Sequence, residues 1–326
     1  MVKKDRTVRI WLCVGLMAAF VAGCGTADGS AEADNGAAVK ENTEADDTAG
    51  ADDETVTEEK GNSPESDKTE QSEAEIVEEK VTFEGLGLSV LGDSISTYDG
   101  WIPWGFHVFY PLDGEVKDVS QTWWMMLLDD TGMELCANNS SSGSLCAGDS
   151  LAEDGIQYAC SSFRLSHLTG KQGKMPDIII IYMGTNDLLN GIPIGDNDGT
   201  KIVEEGEIDN FSDAYSLILD KLASDYPISQ IYCCTLAQVG DWGTSQPFVM
   251  FENGSGLTAK DYSDCIRTVA ENKGIPVIDL YNCGIEIDNL QDMTSDGIHL
   301  TPEGMKCVER AVLSGIGAAV DDDPPL

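Results

Sequence analysis

Asp177-Ile178-Ile179-Ile180-Ile181-Tyr182-Met183-Gly184-Thr185-Asn186-Asp187 decides the reading of this chain. Four consecutive isoleucines make an unbroken β-branched run with no polar face. Such a run suits a central strand of a parallel sheet, covered by helices on both sides. Working outward, apolar runs alternate with amphipathic ones. Strands are expected over 86–91, 133–137, 177–183, 230–236 and 276–280. Helices are expected from a Ser120 cap through the Trp123-Trp124 run to a stop at Gly132, and over 158–168, 211–224 and 260–272. A last helix opens at Thr301-Pro302-Glu303, a cap followed by proline in the first turn. Repeated βα units imply a parallel sheet of about five strands between helices, a three-layer α/β/α sandwich. Ligands of such sheets bind beyond the carboxyl ends of the strands.

Three segments at or near that edge carry chemistry. Gly92-Asp93-Ser94 ends the first strand in a tight turn, where a serine hydroxyl is exposed. A hydroxyl attacks at neutral pH only if a base takes its proton. Taken alone, Asp93 and Ser94 read better as a turn cap than as catalytic residues. Asp296-Gly297-Ile298-His299 supplies the missing base, because a carboxylate three residues before a histidine reaches one imidazole nitrogen while the other faces a nucleophile. The chain has three histidines, and His107 and His167 lack an acid at such spacing and read as structural. Asn186, after the isoleucine strand, can donate to a developing oxyanion or form an Asx-turn. Gly143, in Asn138-Asn139-Ser140-Ser141-Ser142-Gly143-Ser144, can offer a backbone N–H to the same oxygen or be a plain loop glycine.

Taken in order, Gly92-Asp93-Ser94, the 138–143 loop, Gly184-Thr185-Asn186-Asp187 and Asp296-x-x-His299 resemble the four sequence blocks of the SGNH (GDSL-type) hydrolases, over about residues 86–315. The resemblance implies a flavodoxin-like fold and an ester hydrolase. It implies Ser94 as nucleophile, His299 as base, Asp296 as its orienter, and an oxyanion hole from the Ser94 and Gly143 N–H groups and the Asn186 side chain. The chain departs from the pattern at Ser140, where many members have glycine two residues after the loop asparagine. No metal or organic cofactor is called for.

The ends read differently. Lys3, Lys4, Arg6 and Arg9 precede an apolar run over 10–21, too short for a comfortable membrane span, and then Val21-Ala22-Gly23-Cys24. Residues 1–23 read as an export signal, and Cys24 stands where a bacterial lipobox places its lipidated cysteine. An ordinary secretory signal with an incidental cysteine is the alternative. Residues 24–80 are acidic, with no aromatic residue, and are expected to be a disordered tether. The hydrolase domain is expected over 81–320, with an acidic, proline-bearing tail at 321–326. The implied location is the exterior face of a bacterial membrane, held by the lipid anchor.

The formal net charge is −39, and only eleven Lys and Arg fall after residue 80, scattered along the domain. With no basic stripe, nucleic acid is excluded as a partner. No CxxC or Cys/His cluster suggests zinc, and Cys136 with Cys146 is the candidate disulfide. Tyr98, Trp101, Trp104, Phe106, Phe109 and Tyr110 crowd the segment after the nucleophile, and read equally as a substrate wall or a loop packed on the core. Asp93, Trp101, Trp104 and Asp187 are the candidates to line the substrate site. Residues 191–206 read as an exposed insertion near that site, without the spacing of a calcium loop. The expected activity is hydrolysis of carboxylic esters, acetyl above all, on extracellular carbohydrate. The alternatives are a lipid or lysophospholipid acyl hydrolase and a non-catalytic ligand-binding lipoprotein.

Overall fold

The four isoleucines divide two and two between the faces of one sheet in the computed structural model, which describes residues 82–242 and 246–318. The proposed signal, Cys24, the acidic tether and the 321–326 tail lie outside the described residues. In chain order the elements are β1 (Gly87–Gly92), α1 (Trp123–Thr131), β2 (Glu134–Ser140), β3 (Gly148–Asp149), α2 (Ser162–Leu165), β4 (Ile178–Tyr182) and α3 (Thr185–Leu189). They continue with β5 (Glu207–Ile208), α4 (Phe211–Asp225), β6 (Gln230–Cys234), α5 (Ala259–Asn272), β7 (Val277–Ile278), α6 (Leu290–Met293) and α7 (Pro302–Ile316).

Five strands form one parallel sheet in the order β2-β1-β4-β6-β7. Counting these strands alone, the order is 2-1-3-4-5, the flavodoxin-like arrangement with its topological switch between β1 and β4. Their register pairs Leu88 with Ile178 and Gly92 with Tyr182, so the segments after Gly92 and Tyr182 emerge side by side. Ile179 and Ile181 pack with α4 and α5 through Leu217, Ile218, Ile266 and Val269. Ile178 and Ile180 pack on the other face with Trp123, Leu127, Val308 and Val312 of α1 and α7. A strand buried on both faces favours apolar residues on both parities, which explains the isoleucine run. Burying an isoleucine stabilises by about 1.5–3 kcal/mol, and all four are at most 4% exposed.

Local chemistry sets most boundaries. Thr301 caps α7, its side chain accepting from the Gly304 N–H, and Pro302 occupies the first turn. Gly132 ends α1 in the left-handed region, φ 71°. Ser120 does not cap α1. Asp118 caps a separate 3₁₀ turn over Val119–Gln121, its carboxylate accepting from the Ser120 N–H, and α1 starts at Trp123. The helix expected over 158–168 shortens to α2 and a 3₁₀ turn over Ser166–Leu168. Ser161 takes the Arg164 N–H as a cap, and His167 breaks the helical dihedrals at φ −99°, ψ 29°. Tyr158, before it, bridges to Leu145 in extended form.

Two other expectations change. Cys136 and Cys146 are both free thiols. Cys136 occupies an irregularity in the β1–β2 pairing and lies against Gly87, whereas Cys146 is fully buried in the core on the α4–α5 side. The 191–206 segment is not simply an exposed insertion. Asn197, 3% exposed, bonds to Ser212 and Asp213 of α4, and Asn272 of α5 donates to the Asp198 carbonyl. Among the described residues no helix is long and apolar enough to cross a membrane, and no group of His, Cys, Asp and Glu is placed to hold a metal ion.

Candidate active site

Ser94 opens a 3₁₀ turn immediately beyond β1. Asp93 caps that turn, its Oδ1 accepting from the Ile95 N–H at 3.0 Å. Two tryptophans of α1 hold the turn from below: Trp123 Nε1 donates to Ser96 Oγ and Trp124 Nε1 to the Ser96 carbonyl, both at 3.0 Å. The nucleophile candidate therefore sits on a rigid support, and only 5% of it is exposed.

His299 arrives from the loop between α6 and α7. Its Nε2 lies 2.9 Å from Ser94 Oγ, and its Nδ1 lies 2.7 Å from Asp296 Oδ2. The Oδ1 oxygen of Asp296 accepts the backbone N–H groups of Ile298 and His299 at 3.0 and 2.8 Å. One carboxylate thus shapes its own loop with one oxygen and meets the imidazole with the other. Burial pushes the Asp296 carboxyl up, but the hydrogen bond and charge of His299 with the two N–H groups outweigh it and hold it below its ordinary value. An ionised Asp296 favours the proton on Nδ1, leaving the Nε2 lone pair toward Ser94. Phe109 stacks on the imidazole with centroids 3.6 Å apart and planes 10° off parallel.

The turn bearing Gly143 stands beside the serine. Ser141 N–H donates to the Gly92 carbonyl and Ser144 N–H to the Ser141 carbonyl, both at 3.2 Å. Gly143 takes φ 77°, and a Cβ built there meets nothing within 4 Å, so the glycine answers to backbone conformation rather than to space. Asn186, in the first turn of α3, donates from Nδ2 to the Ser144 carbonyl at 3.1 Å, which ties the strand-four edge to the Gly143 turn. Ser140, the departure from the family pattern, donates to Asn138 Oδ1 at 2.6 Å, and Asn138 Nδ2 donates in turn to the Ser96 carbonyl at 2.9 Å. The side chain at 140 is used inside the framework.

Asp93 and Asp187, candidates to line the substrate, have no exposed surface. Their carboxyls point inward because they serve the backbone. Asp187 accepts the Cys146 and Ala147 N–H groups at 2.8 and 3.1 Å, and so braces the loop beyond Ser144. Burial pushes Asp187 up to about 7 against those two bonds. Burial likewise pushes Asp93 up to about 6, with the Ile95 N–H and the charges of His299 and Arg164 pulling the other way. The aromatic segment divides. Tyr110 and Phe106 are buried, Trp101 is 42% exposed against Trp124, and Trp104 is fully exposed.

Two contributors escaped the sequence reading. Phe109 was one aromatic among six, and nothing local marks it as the ring that covers the histidine. Arg164 is wholly buried in a serine-rich segment, and a lone arginine in a polar stretch ordinarily signals surface.

Residues 86–247 match the GDSL-like lipase/acylhydrolase family. Among solved structures, a protein from Bacteroides uniformis named for its likeness to GDSL lipases is 25% identical, over 71% of this chain and 95% of its own, with a TM-score of 0.51. A similarly named protein from Bacteroides ovatus is 23% identical, over 72% of this chain and 98% of its own, TM-score 0.51. A Lactobacillus plantarum protein shares the fold at 20% identity, over 72% of this chain and 96% of its own, TM-score 0.53. Among curated proteins none matches the chain.

Proposed function

The chain belongs to the GDSL-like lipase/acylhydrolase family and is a hydrolase, and from that premise we propose that it is a serine esterase removing short acyl groups, acetyl foremost, from carbohydrate outside the cell. The observation that carries the reading is the continuous relay Asp296 Oδ2–His299 Nδ1, His299 Nε2–Ser94 Oγ, at 2.7 and 2.9 Å.

In the proposed cycle His299 takes the Ser94 proton as Oγ attacks the ester carbonyl. The N–H groups of Ser94 and Gly143 and the Asn186 amide receive the oxyanion. His299 then gives the proton to the leaving alcohol, and Asp296 stabilises the imidazolium in between. Water, deprotonated by the same histidine, releases the acid from Ser94. The chemistry is complete with these side chains. The carbohydrate substrate is supported by the exposed Trp104 and the part-exposed Trp101, which lie on the loop whose Phe109 covers His299. Aromatic faces of this kind stack on sugar rings. The extracellular location and the Cys24 lipid anchor rest on the amino-terminal sequence, with residues 24–80 as spacer.

The test is labelling by a fluorophosphonate followed by acetate release. The wild-type protein is expected to label and Ser94→Ala to remain unlabelled with an unchanged melt. Acetate should appear from acetylated glycans in preference to fatty acid from lysophospholipids. Labelling of Ser94→Ala would overturn the nucleophile assignment, and fatty-acid release alone would replace carbohydrate by lipid as substrate.

A further inference from the structure

Arg164 is the fully buried cation nearest the reacting groups, and its hydrogen-bond partners among the described residues are neutral. Nη2 donates to the Gly92 carbonyl at 3.0 Å and to the Asn139 carbonyl at 2.7 Å. Nε donates to Asn139 Oδ1, and Nη1 donates to the Ile156 carbonyl at 2.7 Å. The guanidinium carbon lies 5.5 Å from the centroid of the Phe106 ring. Moving a cation out of water costs several kcal/mol even after the protein relaxes, and a same-sized apolar side chain would fill the space without that cost. What the guanidinium adds is a rigid fork of donors in fixed directions.

Those directions matter because of where the acceptors lie. Gly92 is the last residue of β1, two before Ser94. Asn139 is near the end of β2, two before Ser141, where the Gly143 turn begins. The Gly92 carbonyl also takes the Ser141 N–H. One carbonyl is thus shared between the turn and the guanidinium, and one guanidinium nitrogen is shared between the two strand ends.

We infer that Arg164 is a positioning residue for the oxyanion site: its guanidinium clamps the end of β1 to the end of β2 and so holds the Ser94 and Gly143 N–H groups in one geometry. The inference rests on the proposed esterase reading of Ser94 and Gly143. Arg164 touches no reacting atom in this scheme. Its effect belongs to the transition state, where the oxyanion forms, and not to binding of the ground-state ester. A displacement of about 1 Å in such a site costs up to about a hundredfold in rate.

The experiment compares full-length wild type with Arg164→Lys, which keeps the charge but loses the fork. Initial rates on p-nitrophenyl acetate are divided by active sites titrated to completion with a fluorophosphonate, and thermal melts are recorded in parallel. The expected result is kcat per titrated site lower by ten- to a hundredfold, KM within about twofold, and phosphonylation slowed in proportion to kcat. An unchanged kcat per titrated site, or a rise in KM alone, would overturn the inference and reduce Arg164 to a core residue. Where Arg164→Lys does not fold, Asn139→Ser decides by the same per-site measurement. On the guanidinium it removes the Nε acceptor and leaves all three backbone carbonyls. It also gives up the Asn139 Nδ2 bonds to the Arg164 and His167 carbonyls, and it is expected to lower kcat about three- to tenfold with KM unmoved. Wild type that neither labels nor turns over would instead sink the esterase reading, so the two failures are distinct.

Discussion

Replacing Asp296 by asparagine separates the two jobs of that carboxylate. Oδ1 accepts two backbone N–H groups, and Oδ2 faces His299 Nδ1. An asparagine can keep its oxygen on the backbone pair, which leaves its NH₂ toward the imidazole. Two donors cannot face each other, so the ring must shift its proton to Nε2 and accept from the amide through Nδ1. Nε2 then donates to Ser94 Oγ, and the base is lost while the loop stays in place. Loss of the correct tautomer in a Ser-His-Asp relay lowers kcat about 10⁴-fold in the best-studied protease. Here the expected loss is about 10³–10⁴, or about 4–5.5 kcal/mol of transition-state stabilisation. Asp296→Ala abandons the two backbone donors as well, each worth about 1–3 kcal/mol when left without a partner. It should lower the melting temperature where Asp296→Asn hardly moves it. The assay is hydrolysis of p-nitrophenyl acetate per titrated site at pH 7–8, alongside thermal melts. Asp296→Asn retaining activity within tenfold of wild type would refute the tautomer argument, and equal melts for the two variants would refute the division between the oxygens.

Asn186→Ala should lower kcat about 10²–10³-fold with KM little changed, since one oxyanion donor is removed; steady-state kinetics on the same ester checks it. Phe109→Ala strips the ring stacked on His299, and at about 0.5–1.5 kcal/mol for an aromatic pair it should lower kcat about two- to tenfold, read in the same assay. Glu309, buried between α7 and α1, is pushed up to about 7 by burial and by the hydrogen bond and charge of Asp130. A raised carboxyl favours the fold fully below its ordinary value near 4.5 and loses that contribution as pH climbs through 7. Glu309→Gln should therefore stabilise the protein by about 1–3 kcal/mol at pH 8 and by little at pH 4, measured by urea titration at both values; an equal effect at the two pH values would count against it.

The sandwich was legible because its signals are local. An apolar run without polar parity reads as a doubly covered strand whatever surrounds it, and 178–181 became the third strand of the sheet with both faces buried. Thr301-Pro302 likewise opens a helix through its own side chain and ring. Where local preferences compete, the reading fell short. Ser161 bonds through its side chain to the Gly155 carbonyl and the Arg164 N–H, so the helix expected over 158–168 starts late and shrinks to α2 and one further turn.

By itself the sequence determined the order of βα units and the residue types that hydrolysis needs, since both follow from side chains acting on their own few neighbours. It also placed Ser94 at the end of a strand and Asp296 and His299 in a loop before a helix, where side chains are free to meet. Only the tertiary structure decided that residues 205 apart in the chain come within a hydrogen bond, that Phe109 and not Trp104 covers the imidazole, that Asp93 and Asp187 turn inward, and that Arg164 joins two strand ends. The Asp187 brace and the Arg164 clamp depend on the 2-1-3-4-5 order, which brings the ends of β1, β2 and β4 side by side, and the histidine reaches Ser94 by a loop that returns across the sheet edge. Adjacency of that kind is a property of the assembled sheet, and no single segment encodes it.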